Sequence, residues 1–269
     1  MNDSQSHLIL LKLGGSLITS KDTPHTPRID VIHQTAQEIA QGVQNSPEMR
    51  LILGHGSGSY GHIPANKYQT RMGVKTKAQW NGFGIVWEEA AALNHIVIDI
   101  VRNYGLQAIA FPPSSVITSE NRKIKEWNLT PLKAALSAGM IPVIYGDVVF
   151  DTVLGGTILS TEDLFTHLAR QLQPNRVLLA GLEEGVWADY PAATQFIHEI
   201  TPQNHDTIMP SITGARETDV TGGMRSKVEV CLNLVREIPS IQTQIFSGMQ
   251  PGNILRSLAG EQVGTSLHS

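Results

Sequence analysis

The apolar run Leu51-Ile52-Leu53 opens directly into Gly54-His55-Gly56-Ser57-Gly58-Ser59-Tyr60-Gly61-His62, where four of nine residues are glycine. Such a run reads as a buried strand, and a strand ending in a glycine-rich turn delivers bare backbone N–H groups to whatever sits at its carboxyl end. Glycine also allows positive φ and close backbone approach, which a phosphate cradle needs and a packed strand does not. An ordinary flexible turn is the competing reading of the glycines alone. Two features favour the cradle. His55 and His62 bracket the loop, and a second glycine turn with a lysine, Lys12-Leu13-Gly14-Gly15-Ser16, also follows a short apolar run.

The alternation continues along the chain. Residues 8–13 read as a buried strand, and residues 30–44 carry Val31, Ile32, Ala36, Ile39, Ala40 and Val43 at helical spacing. A strand at 50–53, the glycine loop and a polar connection from Asn66 to Lys77 follow. A long amphipathic helix is predicted from about Gln79 to Tyr104, ended by Gly105. Then come a strand at 107–111 stopped by Pro112-Pro113, a segment at 123–127, a helix over 130–138 closed by Gly139, and the strand Ile141–Tyr145. Residues 147–159 read as a β-hairpin. A helix from Thr161 to Leu172, capped by Ser160 or Thr161, precedes the strand Arg176–Ala180. Residues 183–214 lack periodicity; a helix at about 224–236 and short strands near 241–246 and 263–267 close the chain. Repeated β-α units predict an α/β protein, an αβα sandwich on a largely parallel central sheet.

With 269 residues, 41% hydrophobic, the chain can bury a substantial core. Its net charge of −4 and scattered lysines and arginines give no footprint for nucleic acid or an anionic membrane, so any anion must be held locally. Cys231, the single cysteine, excludes an internal disulfide and a cysteine-built metal site. The apolar stretch Leu8–Leu11 is too short for a membrane span or a signal segment, and a cytoplasmic protein is expected.

In open parallel sheets ligands sit beyond the carboxyl ends of the strands, so Lys12–Ser16, Gly54–His62 and Gly146-Asp147 are expected to converge on one crevice. A further phosphate-friendly element is Asp219-Val220-Thr221-Gly222-Gly223-Met224-Arg225-Ser226-Lys227, whose glycines open a helix with a lysine one turn in. Singly, Lys12 and Lys227 read as solvated surface charges; together they read as a distributed phosphate clamp. Neither a Walker pattern nor a dinucleotide-binding fingerprint is present.

These segments, with Lys21 nine positions beyond Lys12, resemble in composition and order the amino acid kinase family over nearly the whole chain. Within it, the His-Gly-x-Gly-x-x-Gly-His loop ending in His62 is similar to that of isopentenyl phosphate kinases, as are Trp87–Asn94, Ile141-Pro142-Val143 and the Asp-Val-Thr-Gly-Gly-Met string. The resemblance implies an ATP-dependent kinase of isoprenoid biosynthesis that phosphorylates isopentenyl phosphate, with Mg2+ held mainly through the ATP phosphates rather than by a dedicated protein site. It implies a homodimer, small-molecule partners only, and a division of one continuous sheet into an acceptor-binding part (1–175) and a nucleotide-binding part (176–269).

Carried over by residue, the resemblance assigns Lys12, Lys21, His62 and Lys227 to catalysis. It places Gly56, Gly61, His62, Gly146 and Asp147 at the acceptor, and Lys12, Gly14, Gly15, Ser16, Ser57, Gly222, Gly223 and Lys227 at ATP. Asp147 as a turn cap, His55 as a structural histidine and Asp163 as a helix first-turn residue are the plainer readings. Ser57 stands where relatives commonly have glycine, and Glu183 and Glu184 where relatives often have an aspartate-containing turn. Trp80, Phe83, Ile85 and Val86 either wall a prenyl pocket or belong to the core. A fosfomycin kinase, a kinase acting on an amino acid carboxylate, and a nucleotide-binding regulator without turnover are the alternatives.

Overall fold

The computed structural model describes residues 7–20, 23–212 and 223–269. Strand β1 (Leu8–Leu13) leads through the one-turn helix α1 (Gly15–Ile18) to α2 (Ile29–Asn45). Strand β2 (Arg50–His55) leads into α3 (Gly58–Tyr68), a 3-10 turn at Thr70–Met72 and the long α4 (Lys77–Asn103). There follow β3 (Ala108–Ala110), α5 (Pro113–Val116), β4 (Ile117–Glu120), β5 (Lys123–Trp127), α6 (Thr130–Ser137) and β6 (Ile141–Tyr145). The hairpin β7 (Asp147–Asp151) and β8 (Gly155–Leu159) precedes α7 (Thr161–Leu172) and β9 (Arg176–Gly181). The irregular stretch holds β10 (Val186–Trp187), β11 (Phe196–Ile197), β12 (Glu199–Ile200) and α8 (His205–Ile208). The chain ends with α9 (Gly223–Glu237), β13 (Gln242–Ser247), α10 (Asn253–Leu258) and β14 (Thr265–Leu267).

Eight strands form the central sheet in the order β12-β14-β13-β9-β1-β2-β6-β3. Only the β13–β14 pairing in it is antiparallel. The reason lies in sequences such as Leu8-Ile9-Leu10-Leu11, apolar on both faces, which are stable only when both faces are covered. Alternate side chains divide accordingly. Leu8 and Leu10 pack with Leu164, Phe165 and Leu168 of α7 and Val228, Leu232 and Val235 of α9. Ile9, Leu11 and Leu13 pack with Ile32 and Ile39 of α2 and Leu93 and Val97 of α4. The result is the expected αβα sandwich. Helices α4 and α6 stop where the glycines predict, at Gly105 with φ +82° and Gly139 with φ +75°.

Three parts differ from the expectation. The segment 54–62 is not one glycine loop: Gly54 and His55 complete β2, and from Gly58 onward it is the first turn of α3. The connection expected from Asn66 is helical to Tyr68, carrying Pro64 within the helix. Strand β4, missed because Ile117-Thr118-Ser119-Glu120 is short and mixed, joins β5, β7 and β8 in a separate four-stranded sheet, order β5-β4-β7-β8. Helix α10 also lacked a strong enough apolar period to be read.

Candidate active site

Amide hydrogen bonds stitch together the carboxyl ends of the parallel strands. Gly14 N–H donates to Ala180 O at 2.8 Å, Gly56 N–H to Leu13 O at 3.2 Å, Gly146 N–H to His55 O at 3.2 Å, and Gly248 N–H to Gly181 O at 2.9 Å. The three predicted elements therefore meet. The two glycine turns touch backbone to backbone: a Cβ on Gly15 would lie 2.7 Å from Gly58 N, and one on Gly56 would lie 2.9 Å from Gly15 N. No other residue type fits that approach. Above it stands the N-terminus of α3, eleven residues long, whose positive dipole end and first amides favour an anion.

Lys12, the fifth residue of β1, is buried and ion-paired to Glu162 in the first turn of α7. Burial alone, the largest single influence, would raise the Glu162 carboxyl. The charge and hydrogen bond of Lys12, joined by the charge of Lys227, outweigh it and hold the carboxyl below its ordinary range. Lys227, one turn into α9, thus acts on the same carboxylate as Lys12. Glu162 is held in place from both sides. Ser160 and Asp163 form a capping box, with Asp163 Oδ2 accepting from Ser160 N–H at 2.8 Å and from its hydroxyl at 2.7 Å. The Thr161 hydroxyl donates to His55 O at 2.6 Å. Asp163 is accordingly the helix-capping residue expected of it.

The bracketing histidines separate. His55 is fully buried and stacks on Tyr145, with ring centroids 5.4 Å apart. Its Nδ1 lies 3.1 Å from Gly56 O and its Nε2 3.2 Å from the side-chain amide of Asn94. Burial pushes its pKa below the usual value, so the ring is neutral. A neutral ring carries one N–H, which donates either from Nδ1 to Gly56 O or from Nε2 to Asn94 Oδ1. This is a structural histidine that fixes the turn at Gly56. His62 is half-buried on α3.

Asp147 begins β7 immediately after Gly146 and is buried; its Oδ1 accepts from Val148 N–H at 2.7 Å. Burial pushes its carboxyl up to about 7, against the lowering effect of hydrogen bonds from Val148 and Ser114. Ser57 leans along α3, so that a Cβ on Gly61 would lie 2.7 Å from its Oγ. Ser16 is half-buried in α1, and Gly223 is buried with φ +66° at the start of α9. Lys21 and Gly222 lie outside the described residues. Among the described residues no group of three or more His, Cys, Asp or Glu side chains could hold a metal ion.

Sequence reasoning missed Glu162, Thr161, Asn94 and Thr19. Glu162 had a detectable trace: two acids follow Ser160 where a capping box uses one. Thr19 had none, and Asn94 figured only in the Trp87–Asn94 resemblance, because the contacts of both are made about 40 residues away.

The amino acid kinase family model matches residues 7–247. The isopentenyl phosphate kinase of Methanothermobacter thermautotrophicus is 32% identical over 262 residues, 95% of this chain and 97% of the relative. That of Methanocaldococcus jannaschii is 31% identical over 266 residues, 97% of this chain and 98% of the relative. A crystal structure of an isopentenyl phosphate kinase superposes with a TM-score of 0.82 at 30% identity, covering 97% of this chain and all of that one. A pair of glycine turns beside a buried lysine, on a fold and a sequence shared over nearly the whole chain with these proteins, makes the chain a member of the amino acid kinase family.

Proposed function

We propose that this chain transfers the γ-phosphoryl group of ATP to the phosphate of isopentenyl phosphate, giving ADP and isopentenyl diphosphate. The observation that carries the reading is the backbone contact between the Gly15 and Gly56–Gly58 turns beside the buried Lys12. It sets two anion cradles side by side at one end of the sheet. An acceptor phosphate monoester has its second pKa near ~6 and is largely dianionic at neutrality, so no base has to remove a proton. The task is to bring two anions together and to stabilise the charge of a loose transition state. In this proposal Lys12, ion-paired to Glu162, and Lys227 contact the ATP phosphates, with Gly14, Gly15, Ser16, Ser57, Gly222 and Gly223 shaping the cradle. Gly56, Gly61, Gly146 and Asp147 line the acceptor side, where His62 donates to the acceptor phosphate. Lys21 stabilises the transferring group, and Mg2+ enters on the ATP phosphates.

The acceptor's hydrocarbon has a matching surface. Trp80 and Phe83 of α4 and Phe150 of β7 form an aromatic group with centroids 5.2, 5.2 and 6.1 Å apart. Beneath it lie buried Val74, Val86 and Val148. Trp80 and Phe150 are exposed. A small polar acceptor such as fosfomycin or an amino acid has no use for such a wall. We also propose a homodimer in the cytoplasm, with residues 1–175 serving the acceptor and 176–269 the nucleotide; no helix among the described residues is long and apolar enough to cross a membrane.

ADP release measured with MgATP against isopentenyl phosphate, dimethylallyl phosphate, fosfomycin, glutamate and no acceptor tests the reading. The highest kcat/KM is expected with a prenyl phosphate. A preference for fosfomycin or glutamate overturns the substrate, and ATP binding without turnover on any acceptor overturns the enzyme.

A further inference from the structure

Thr19 is fully buried between the two glycine turns. Its hydroxyl donates to Gly15 O at 2.8 Å and accepts from Ser59 N–H, in the first turn of α3, at 2.9 Å. One oxygen thus joins the β1–α1 turn to the helix that starts the other cradle. The surroundings leave that oxygen no alternative position. Thr19 N–H donates to Gly15 O at 2.9 Å, its carbonyl accepts from Arg28 Nε at 3.3 Å, and the residue bridges to Pro27. On the far side Gly58 adopts φ +50°, and a Cβ there would lie 2.1 Å from Thr19 Oγ1. Gly58 is glycine so that the hydroxyl can come this close.

We infer that Thr19 is a positioning residue whose hydroxyl bolts the two phosphate cradles at a fixed separation, and that it sets turnover rather than the affinity for either substrate. The inference rests on the proposed kinase reading for what occupies the cradles, and on geometry alone for the bolt. Each turn retains its own strand-end hydrogen bonds, Gly14 to Ala180 and Gly56 to Leu13, so each keeps its shape without Thr19. What the hydroxyl adds is the relative placement of donor and acceptor. Misplacement by about 1 Å costs on the order of 10²-fold in rate without touching the chemistry.

Thr19→Val is isosteric and removes both hydrogen bonds; Thr19→Ser keeps both and removes only a methyl group. With kcat expressed per ATP-binding site, counted by calorimetric titration so that misfolded protein does not enter, Thr19→Val is expected to fall on the order of 10- to 100-fold. KM for ATP and for isopentenyl phosphate should stay within about twofold, and Thr19→Ser should recover most of the loss. Unchanged kcat per site in Thr19→Val, or a rise in KM at unchanged kcat, overturns the inference. Amide hydrogen exchange over residues 57–61 provides a readout independent of turnover. It should accelerate in Thr19→Val and return to wild-type rates in Thr19→Ser; equal exchange in all three proteins removes the bolt. If wild-type protein turns over no acceptor, the kinase reading fails, and the exchange experiment still decides whether Thr19 joins the cradles.

Discussion

The two ends of β7 belong to different chemistries. At its start, Asp147 sits among the stitched strand ends of the central sheet, a region with a buried lysine ion-paired to a glutamate and a buried carboxyl of its own. Three residues on, Phe150 belongs to an aromatic surface with Trp80 and Phe83, backed by valines. The first region holds its charges by mutual compensation: Lys12 is buried only because Glu162 answers it, and a buried charge without a partner would cost several kcal/mol. The second region offers area and no polar demands. About 10 Å of strand separates the two regions, with Val149 packed on one face of β7 and Val148 on the other.

The largest effect is expected in the charged region. Lys12→Ala strands Glu162 and, on the proposed reading, removes a phosphate contact, and should lower kcat/KM by about 10³-fold or more. Steady-state kinetics on the folded variant would show it, and a loss below about tenfold would take Lys12 out of the site. His62→Ala should cost on the order of 10² in turnover, expressed through the acceptor rather than ATP; unchanged kinetics would remove the histidine from the mechanism. In the apolar region the expected effects are smaller. Phe83→Ala should raise KM for isopentenyl phosphate by about tenfold, the equivalent of ~1.4 kcal/mol of lost apolar contact, and leave KM for ATP alone. An equal rise for both substrates would mean that the aromatic group is core and not wall.

The last effect is on stability and concerns Asp147 and pH. Its carboxyl is pushed up to about 7 by burial, against about 4 in an unfolded chain. The folded state holds the proton more tightly across that window, so its contribution is intact below about pH 4. Stability is then lost as pH rises towards 7. Thermal unfolding followed from pH 4 to 8 should show this decline in wild type and a flatter profile in Asp147→Asn. Parallel profiles would show that the buried carboxyl does not titrate there.

Much of this division could be read from residue order. The strand-turn-helix order, the glycine breaks after β1 and β2 and the first-turn place of Asp163 follow from local rules of apolar period, glycine placement and capping. The structural role of His55 was one of two readings in the sequence, and its buried contacts select it. The rest depends on contacts distant in sequence. Glu162 acquires its role by meeting a lysine 150 positions away, and Thr19 by meeting an amide 40 positions away. The four-stranded sheet escaped notice because β4 is four residues long and half polar. Trp80 and Phe83 show helical spacing, which cannot say whether a helix face meets core or substrate, and their packing against Phe150 of β7 is a contact that spacing does not encode.

The most direct test of a site with a charged end and a hydrocarbon end compares two acceptors that share the head and differ in the tail. The ratio of kcat/KM for isopentenyl phosphate to that for methyl phosphate isolates four carbon atoms. At ~0.8 kcal/mol per buried methylene these are worth about 3 kcal/mol, or on the order of 10²-fold. A ratio of that size or greater is the predicted result. Equal kcat/KM for the two phosphates would contradict it, leaving a phosphate kinase whose aromatic surface has no part in choosing the substrate.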